Sequence, residues 1–189
     1  LHSEYFCALD ENKPTAIVRL ITHDKKKGLM SYQIFHHTTK APETYGLQHL
    51  DLSRVLEVSA FARKLETSSL VAIDLIGVIW SYSKKKGVDK WIFTLDHNIY
   101  KLYKKRYKNI IHKVGDAEEL EGSYNAKVVA CYVDIDQVLL RFCKDLYENR
   151  HRPSILIKKR MLERFLSRID PDILDSRERR AINKLNISI

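Results

Sequence analysis

Apolar and polar positions alternate first along Glu4–Leu9 and again along Thr15–Thr22, with Asp10–Pro14 between them, so the pattern predicts a hairpin of two strands. Residues 23–52 carry the charged turn Lys25-Lys26-Lys27-Gly28 and no sustained period, which predicts a long surface excursion, with a substrate-gating loop as its functional form. A strand is predicted over Arg54–Leu65. It places Val55, Glu57, Ser59 and Phe61 on one side and Leu56, Val58, Ala60 and Ala62 on the other, and the second, purely apolar face is expected to pack inward. The polar step Glu66-Thr67-Ser68-Ser69 leads into a helix over Leu70–Ser83 that is apolar almost all round, hence covered on both sides, with Gly77 expected to admit the sheet closely. Lys84-Lys85-Lys86-Gly87 closes that helix with cations at its negative end and a glycine cap.

Val88–Leu95 reads as a buried strand, and strand, helix, strand in that order predicts a parallel pair. Asp96 caps a short helix to about Tyr107, Ile110–Val114 is a short strand, Gly115–Ala126 a polar loop and Lys127–Ile135 a last strand. The final fifty residues turn helical and charged, over Asp136–Arg150, Pro153–Ile169 and Asp175–Leu185, with breaks near Pro153 and Pro171. The expected division is a core over 1–135 and a C-terminal helical extension over 136–189, packed on the core or on a partner.

Length and charge narrow the function. A chain of 189 residues suits one well-buried domain, and a formal charge of +9 points to an acidic partner: nucleic acid, anionic lipid or an acidic carrier protein. No helix-turn-helix, RNP or zinc pattern stands out, and Trp80, Trp91 and Phe93 lie in apolar runs, so nucleic acid is not the expected partner. Three widely spaced cysteines, Cys7, Cys131 and Cys143, suggest free thiols and a cytoplasmic setting. The longest apolar run, Leu70–Trp80, is broken by Asp74 and too short to span a bilayer, no secretory signal is seen, and a start at Leu1 rather than Met fits a fragment.

Candidate chemistry gathers on two strands and one corner. Glu57 and Ser59 face one half-buried space, where Glu57 is either a general base or a carboxylate paired with a lysine or arginine for structural reasons. Arg19, between Val18 and Leu20, is either a solvated edge-strand arginine or one aimed into a cleft to hold a carboxylate or phosphate. The step into the helix at Leu70 offers free N–H groups and a positive dipole end to an anion. His36 and His37 point to opposite sides with no acidic or cysteine partner at ligand spacing, so no metal site is expected.

Three strings in order carry a resemblance. Ala16-Ile17-Val18-Arg19-Leu20, Glu57-Val58-Ser59-Ala60-Phe61-Ala62 and Leu102-Tyr103-Lys104-Lys105 resemble, in that succession, strands and a helix of the GNAT-type acyltransferases, and within them the N-acyl amino acid synthases and acyl-homoserine-lactone (autoinducer) synthases of bacteria. Ala60 stands where that group has arginine, the Gly-rich pyrophosphate loop is absent, and no helical segment precedes Tyr5. The resemblance implies an α/β (α+β) fold with a mixed, mostly antiparallel central sheet, a splayed parallel strand pair, flanking helices and the C-terminal appendage. It implies an N-acyltransferase that moves a fatty acyl group from an acyl-carrier-protein or acyl-CoA thioester to the amine of an amino acid or similar small amine, with no permanently bound cofactor. In that reading Glu57 takes the amine proton through water and Tyr103 protonates the thiolate. Arg19, Ser59, Phe61, Ala62 and Arg63 hold the reactants, and Arg63, Thr67, Ser68 and Ser69 receive the phosphopantetheine arm. An acidic acyl carrier protein is the implied partner, with Lys84–Lys86 and Lys104–Arg106 as candidate docking points; the oligomeric state stays open. The alternative is a catalytically degenerate GNAT-like chain or a basic binding or regulatory module without turnover.

Overall fold

The computed structural model describes residues 2–22, 51–106, 110–113, 118–119, 127–152 and 154–187. Of the excursion expected over 23–52, residues 23–50, with the gating loop, His36 and His37, lie outside the described residues, as do Tyr107 and Val114, while Leu52 opens the 3-10 turn Leu52–Arg54. Strand β1 (Ser3–Asp10) turns into β2 (Lys13–Thr22) through Glu11 and Asn12, both at positive φ (46° and 64°), the backbone of a two-residue I′-like hairpin turn. Pro14, expected in the turn, instead sits exposed as the second residue of β2, where a missing N–H is tolerated.

Strand β3 (Val55–Arg63) pairs in parallel with β4 (Lys90–Asp96). Antiparallel to β4 lies β7 (Lys127–Asp134), which also pairs with β5 (Ile111–Lys113) and the two-residue β6 (Glu118–Glu119). The order β1-β2-β3-β4-β7-β5, with β6 also on β7, is the expected mixed sheet, mostly antiparallel with one parallel pair. Within the segment expected to be a loop, the described residues 118–119 are thus a strand.

The β3–β4 register is short: Val55↔Lys90, Leu56↔Trp91 and Glu57↔Ile92, after which β3 continues for six residues. The expected inward and outward faces of β3 are corrected here. Val55, Leu56 and Glu57 are all buried, Val58 and Ser59 half-buried, and Ala60, Phe61, Ala62 and Arg63 all exposed. Burial changes along the strand rather than across it, because its first three residues are paired with β4 and the later ones are not.

The chain divides into two interleaved compact units. One consists of residues 1–5, 19–60 and 88–134. Its core is built on Leu20, Ile21, Val55, Leu56, Trp91, Ile92, Val129, Cys131 and Val133. Helix α2 (His97–Arg106) starts as expected at Asp96, whose carboxylate accepts from the N–H of Asn98 (2.8 Å) and Ile99 (3.3 Å). Its Tyr100 is buried with Val129 and Cys131, against Phe93, Leu95 and Ile111.

The other unit consists of residues 6–18, 61–87 and 135–189. It holds α1 (Leu70–Lys85), α3 (Ile135–Glu148), α4 (Ile155–Leu166) and α5 (Ser176–Asn183). The C-terminal helices therefore share a unit with α1, whereas the expected 1–135 and 136–189 division follows chain order. Trp80 of α1 is fully buried, donates its indole N–H to the Ile135 carbonyl (3.0 Å) and packs edge-on against Phe165 (5.8 Å). Ile135, expected to end the last strand, is the buried first residue of α3.

Gly77 corrects a further expectation. A Cβ there would lie 2.9 Å from the Phe165 carbonyl oxygen and 3.0 Å from the Arg168 Cβ, so this glycine admits the backbone of α4 rather than the sheet. Gly87, at φ 69°, closes α1 as expected, its N–H donating to the Lys84 carbonyl (3.0 Å). Helix α5 is fixed by a capping box: Asp175 accepts from the N–H of Glu178, and the fully buried Glu178 accepts from that of Asp175 (2.9 Å) and from Lys84 Nζ (3.3 Å).

Candidate active site

In the first unit the parallel pairing ends on a buried carboxylate. Glu57 is 4% exposed and stands at the last β3–β4 register position. Ser59, two residues on and on the same side of the strand, accepts a hydrogen bond from Arg19 Nε at 2.5 Å. Strand β2 has β1 on one side and β3 on the other, so of the two expectations for Arg19 the solvated edge-strand arginine is excluded: it is a half-buried residue of an inner strand. The structure thus joins Arg19 to Ser59 and sets Glu57 beside Ser59 on β3. Tyr103 comes from α2, one helical turn after the buried Tyr100, and is 38% exposed.

The register also assembles a cluster that no local motif announced. Glu57↔Ile92, Ile92↔Tyr132 and Tyr132↔His112 form one row across four strands, and Val55↔Lys90 with Lys90↔Asp134 forms the next. Directly paired residues share a sheet face, so Glu57, Tyr132, His112, Lys90 and Asp134 belong to one face. The His112 ring stacks on Tyr132 (4.8 Å, 18°), and Lys90 lies over the Tyr132 ring (5.1 Å) while pairing with Asp134. His112 Nε2 stands 3.7 Å from Asp134 Oδ2. Only the pairing of strands distant in sequence could have found this group.

In the second unit the predicted phosphopantetheine residues are the last residue of β3, Arg63, and Thr67, Ser68 and Ser69 of the segment after it. Phe61, Ala62 and Arg63 are exposed. The Arg63 guanidinium folds onto its own loop, with Nη1 donating to the carbonyls of Lys64 (3.1 Å), Leu65 (3.4 Å) and Thr67. At the start of α1, Leu70 N–H donates to Ser68 Oγ (3.3 Å), Val71 N–H to the Ser68 carbonyl (3.1 Å) and Ala72 N–H to the Ser69 carbonyl (3.2 Å). Ser69 makes no side-chain cap. Three of the N–H groups this corner was expected to present are therefore satisfied locally.

Thr67 and Ser68 also line a cleft of about 700 Å³ with residues of the β1–β2 hairpin, α1, Arg164 and Arg168. There Asp74 accepts from Arg164 Nε (2.8 Å) and Nη2 (2.5 Å) and from Arg168 Nε (3.1 Å). Burial pushes the Asp74 carboxyl up, but the hydrogen bonds and charges of the two guanidiniums outweigh it and hold the group below the ordinary value of 3.8.

Part of the basic surface is committed inside this unit. Lys84 pairs with Asp136 (2.7 Å) and Glu178, and Lys85 with Asp170 (2.7 Å). Lys86 remains exposed beside the Tyr82 ring (5.6 Å). In the first unit Lys104 lies over Tyr100 (5.7 Å), and the side chain of Arg106 lies outside the described residues. Among the described residues no group of three or more His, Cys, Asp or Glu could hold a metal ion, and no helix is long and apolar enough to cross a membrane.

The sequence matches no protein-family model and no curated protein. In fold it is similar to BjaI, a CoA-dependent acyl-homoserine lactone synthase with SAM and isopentyl-CoA, at 15% identity over 95% of this chain and 73% of that one, with a TM-score of 0.56. It is similar also to TofI in a ternary complex with an inhibitor and MTA, at 16% identity over 91% of this chain and 72% of that one (TM-score 0.50). FeeM, an N-acyl amino acid synthase from uncultured soil microbes, matches at 16% identity over 70% of this chain and 72% of that one (TM-score 0.53). The protein has a GNAT-like fold, shared with acyl-homoserine lactone synthases and an N-acyl amino acid synthase.

Proposed function

We infer that this chain is an N-acyltransferase, moving a fatty acyl group from an acyl-CoA or acyl-carrier-protein thioester to the amine of an amino acid or a similar small amine. The observation that carries the reading is the buried carboxylate of Glu57 at the end of the parallel pairing, beside the Arg19–Ser59 hydrogen bond. Beyond Glu57, β3 keeps its backbone groups but gives up its β4 partner. Such a strand can pair with an extended pantetheine amide chain and offer an N–H to a developing oxyanion. Glu57, through a water, takes the proton of the attacking ammonium; Tyr103 returns one to the leaving thiolate; Arg19, held by Ser59, takes the acceptor's carboxylate. The atoms balance: the thioester C–S bond breaks and an amide C–N bond forms, and of the two protons the ammonium nitrogen loses, one leaves to solvent through Glu57 and its water while the other makes good the proton Tyr103 gives to sulfur. The donor's phosphate is assigned to the loop of Arg63, Thr67, Ser68 and Ser69, and an acidic carrier protein to the cations that remain exposed. The setting is cytoplasmic, with no resident cofactor. The fold shared with acyl-homoserine lactone and N-acyl amino acid synthases supports this chemistry.

The test is incubation with acyl-CoA or acyl-carrier protein and a pool of amino acids, with mass spectrometry for N-acyl products; none at any chain length would overturn the reading. One observation favours a second reading, a GNAT-like chain without turnover. Ala60 stands where the synthases that the strand string resembles have arginine, and the neighbouring Arg63 is engaged with its own loop carbonyls rather than standing in for it.

A further inference from the structure

We propose that the cleft lined by the β1–β2 hairpin, α1, Arg164 and Arg168 is a second binding site, for an amphiphilic monoanion: a carboxylate carrying an alkyl chain of medium length. The cleft lies wholly within the second unit; it includes none of Arg19, Glu57, Ser59 and Tyr103, and meets the loop assigned to the donor's phosphate only at Thr67 and Ser68. Its inner charge is one carboxylate against two guanidiniums. Asp74, 13% exposed, takes three charge-assisted hydrogen bonds and leaves one net positive charge. Arg168 uses only Nε on Asp74, and no described residue takes its two terminal nitrogens; its side chain is 49% exposed. A guanidinium anchored at Nε on a fixed carboxylate has already lost much of its rotamer freedom, so its fork receives a second carboxylate at reduced entropic cost. The acidic residues Asp10, Glu11 and Glu66, which also line the cleft, are exposed to water.

The apolar half comes from Val71, Leu75 and Val78, which recur at helical spacing along α1, and from Leu9, which is 61% exposed. Val71 to Val78 spans about 10 Å at 1.5 Å per residue, room for a medium-length alkyl chain. An exposed leucine over an apolar helix stripe, next to a preorganised cationic fork, matches an ionic head with an apolar tail.

The experiment titrates the full chain with decanoate by calorimetry, with decanol as the neutral control. One saturable site is expected, with decanol at least about tenfold weaker, the scale of a charged hydrogen bond. Arg168→Gln, exposed and singly bonded, should weaken decanoate about tenfold; Leu9→Asp, on an exposed strand position, should weaken it independently. Equal binding of decanol, wild-type affinity in both variants, or no decanoate binding at millimolar concentration would overturn the proposal. N-decanoylglycine separates the sources. Tighter binding than decanoate assigns the site to acylated amino acids, weaker or equal binding to free alkyl carboxylates, and either outcome requires the same fork. No turnover is involved, so the result is independent of the acyl-transfer test.

Discussion

Arg19 and Arg63 show how an arginine's role is decided by its neighbours rather than by its strand. The sequence offers both as candidates to hold an anion; Arg19 meets a hydroxyl on the neighbouring strand, while Arg63 curls onto the carbonyls of the loop that follows it. The two-residue spacing of Glu57 and Ser59 was legible because strand periodicity puts such residues on one side. The fate of Arg63 was not, since it depends on where the carbonyls of residues 64–67 point. The cysteines give a direct prediction. Burial pushes the Cys131 and Cys143 thiols up to about 12, while Cys7 is exposed. A thiol reagent at mildly alkaline pH should therefore modify one thiol quickly in the native protein and all three after denaturation; fast native reaction of Cys131 or Cys143 would contradict the packing. Asp74 gives a second. Its carboxyl lies below 3.8 when folded, so its stabilising contribution is complete above that value and is lost as pH falls through the folded value. Urea midpoints measured from neutrality downward should fall more steeply for the wild type than for Asp74→Asn, and parallel curves would remove the Asp74–arginine cluster from the acid response.

The elements came through the sequence well wherever apolar period and a cap agreed, as at Asp96 before α2 and Gly87 after α1. They came through poorly where a boundary rests on a distant partner: Ile135 begins α3, and its carbonyl is held by Trp80, 55 residues away in sequence. The row Glu57, Ile92, Tyr132 and His112 was invisible for the same reason, because register is a property of pairs of strands and not of one. The sequence predicts a close approach at Gly77 but to the sheet, whereas it is α4 that approaches. Alanine at an exposed helix position gains about 1 kcal/mol over glycine. Here its Cβ would meet a backbone oxygen at 2.9 Å, and overpacking of this kind costs about 1–3 kcal/mol. Gly77→Ala is thus expected to lower the urea midpoint with its slope unchanged. A midpoint at or above the wild type would mean that α4 yields easily and that the contact is not tight.

For the whole molecule, the mixed sheet with one short parallel pair was anticipated from the order of elements and from the resemblance, and the fold bears both out. The interleaving of the two units was not. Residues 6–18 and 61–87 join the C-terminal helices, an arrangement that chain order conceals and that Trp80, Gly77 and Lys84 make by their contacts with α3, α4 and α5. The charge of +9 was likewise a poor guide to a docking face, since Lys84 and Lys85 are bound to carboxylates of their own unit. What the structure offers the proposed acyl transfer is narrower than its charge: one buried carboxylate where a parallel pair ends, and an arginine bonded to a serine on the next strand. The most direct test of that claim compares wild type and Glu57→Gln for formation of N-acyl amino acids from acyl-CoA or acyl-carrier protein. Product from the wild type and a kcat lower by about 100-fold or more in Glu57→Gln is the predicted result. An equal rate in the two would contradict it.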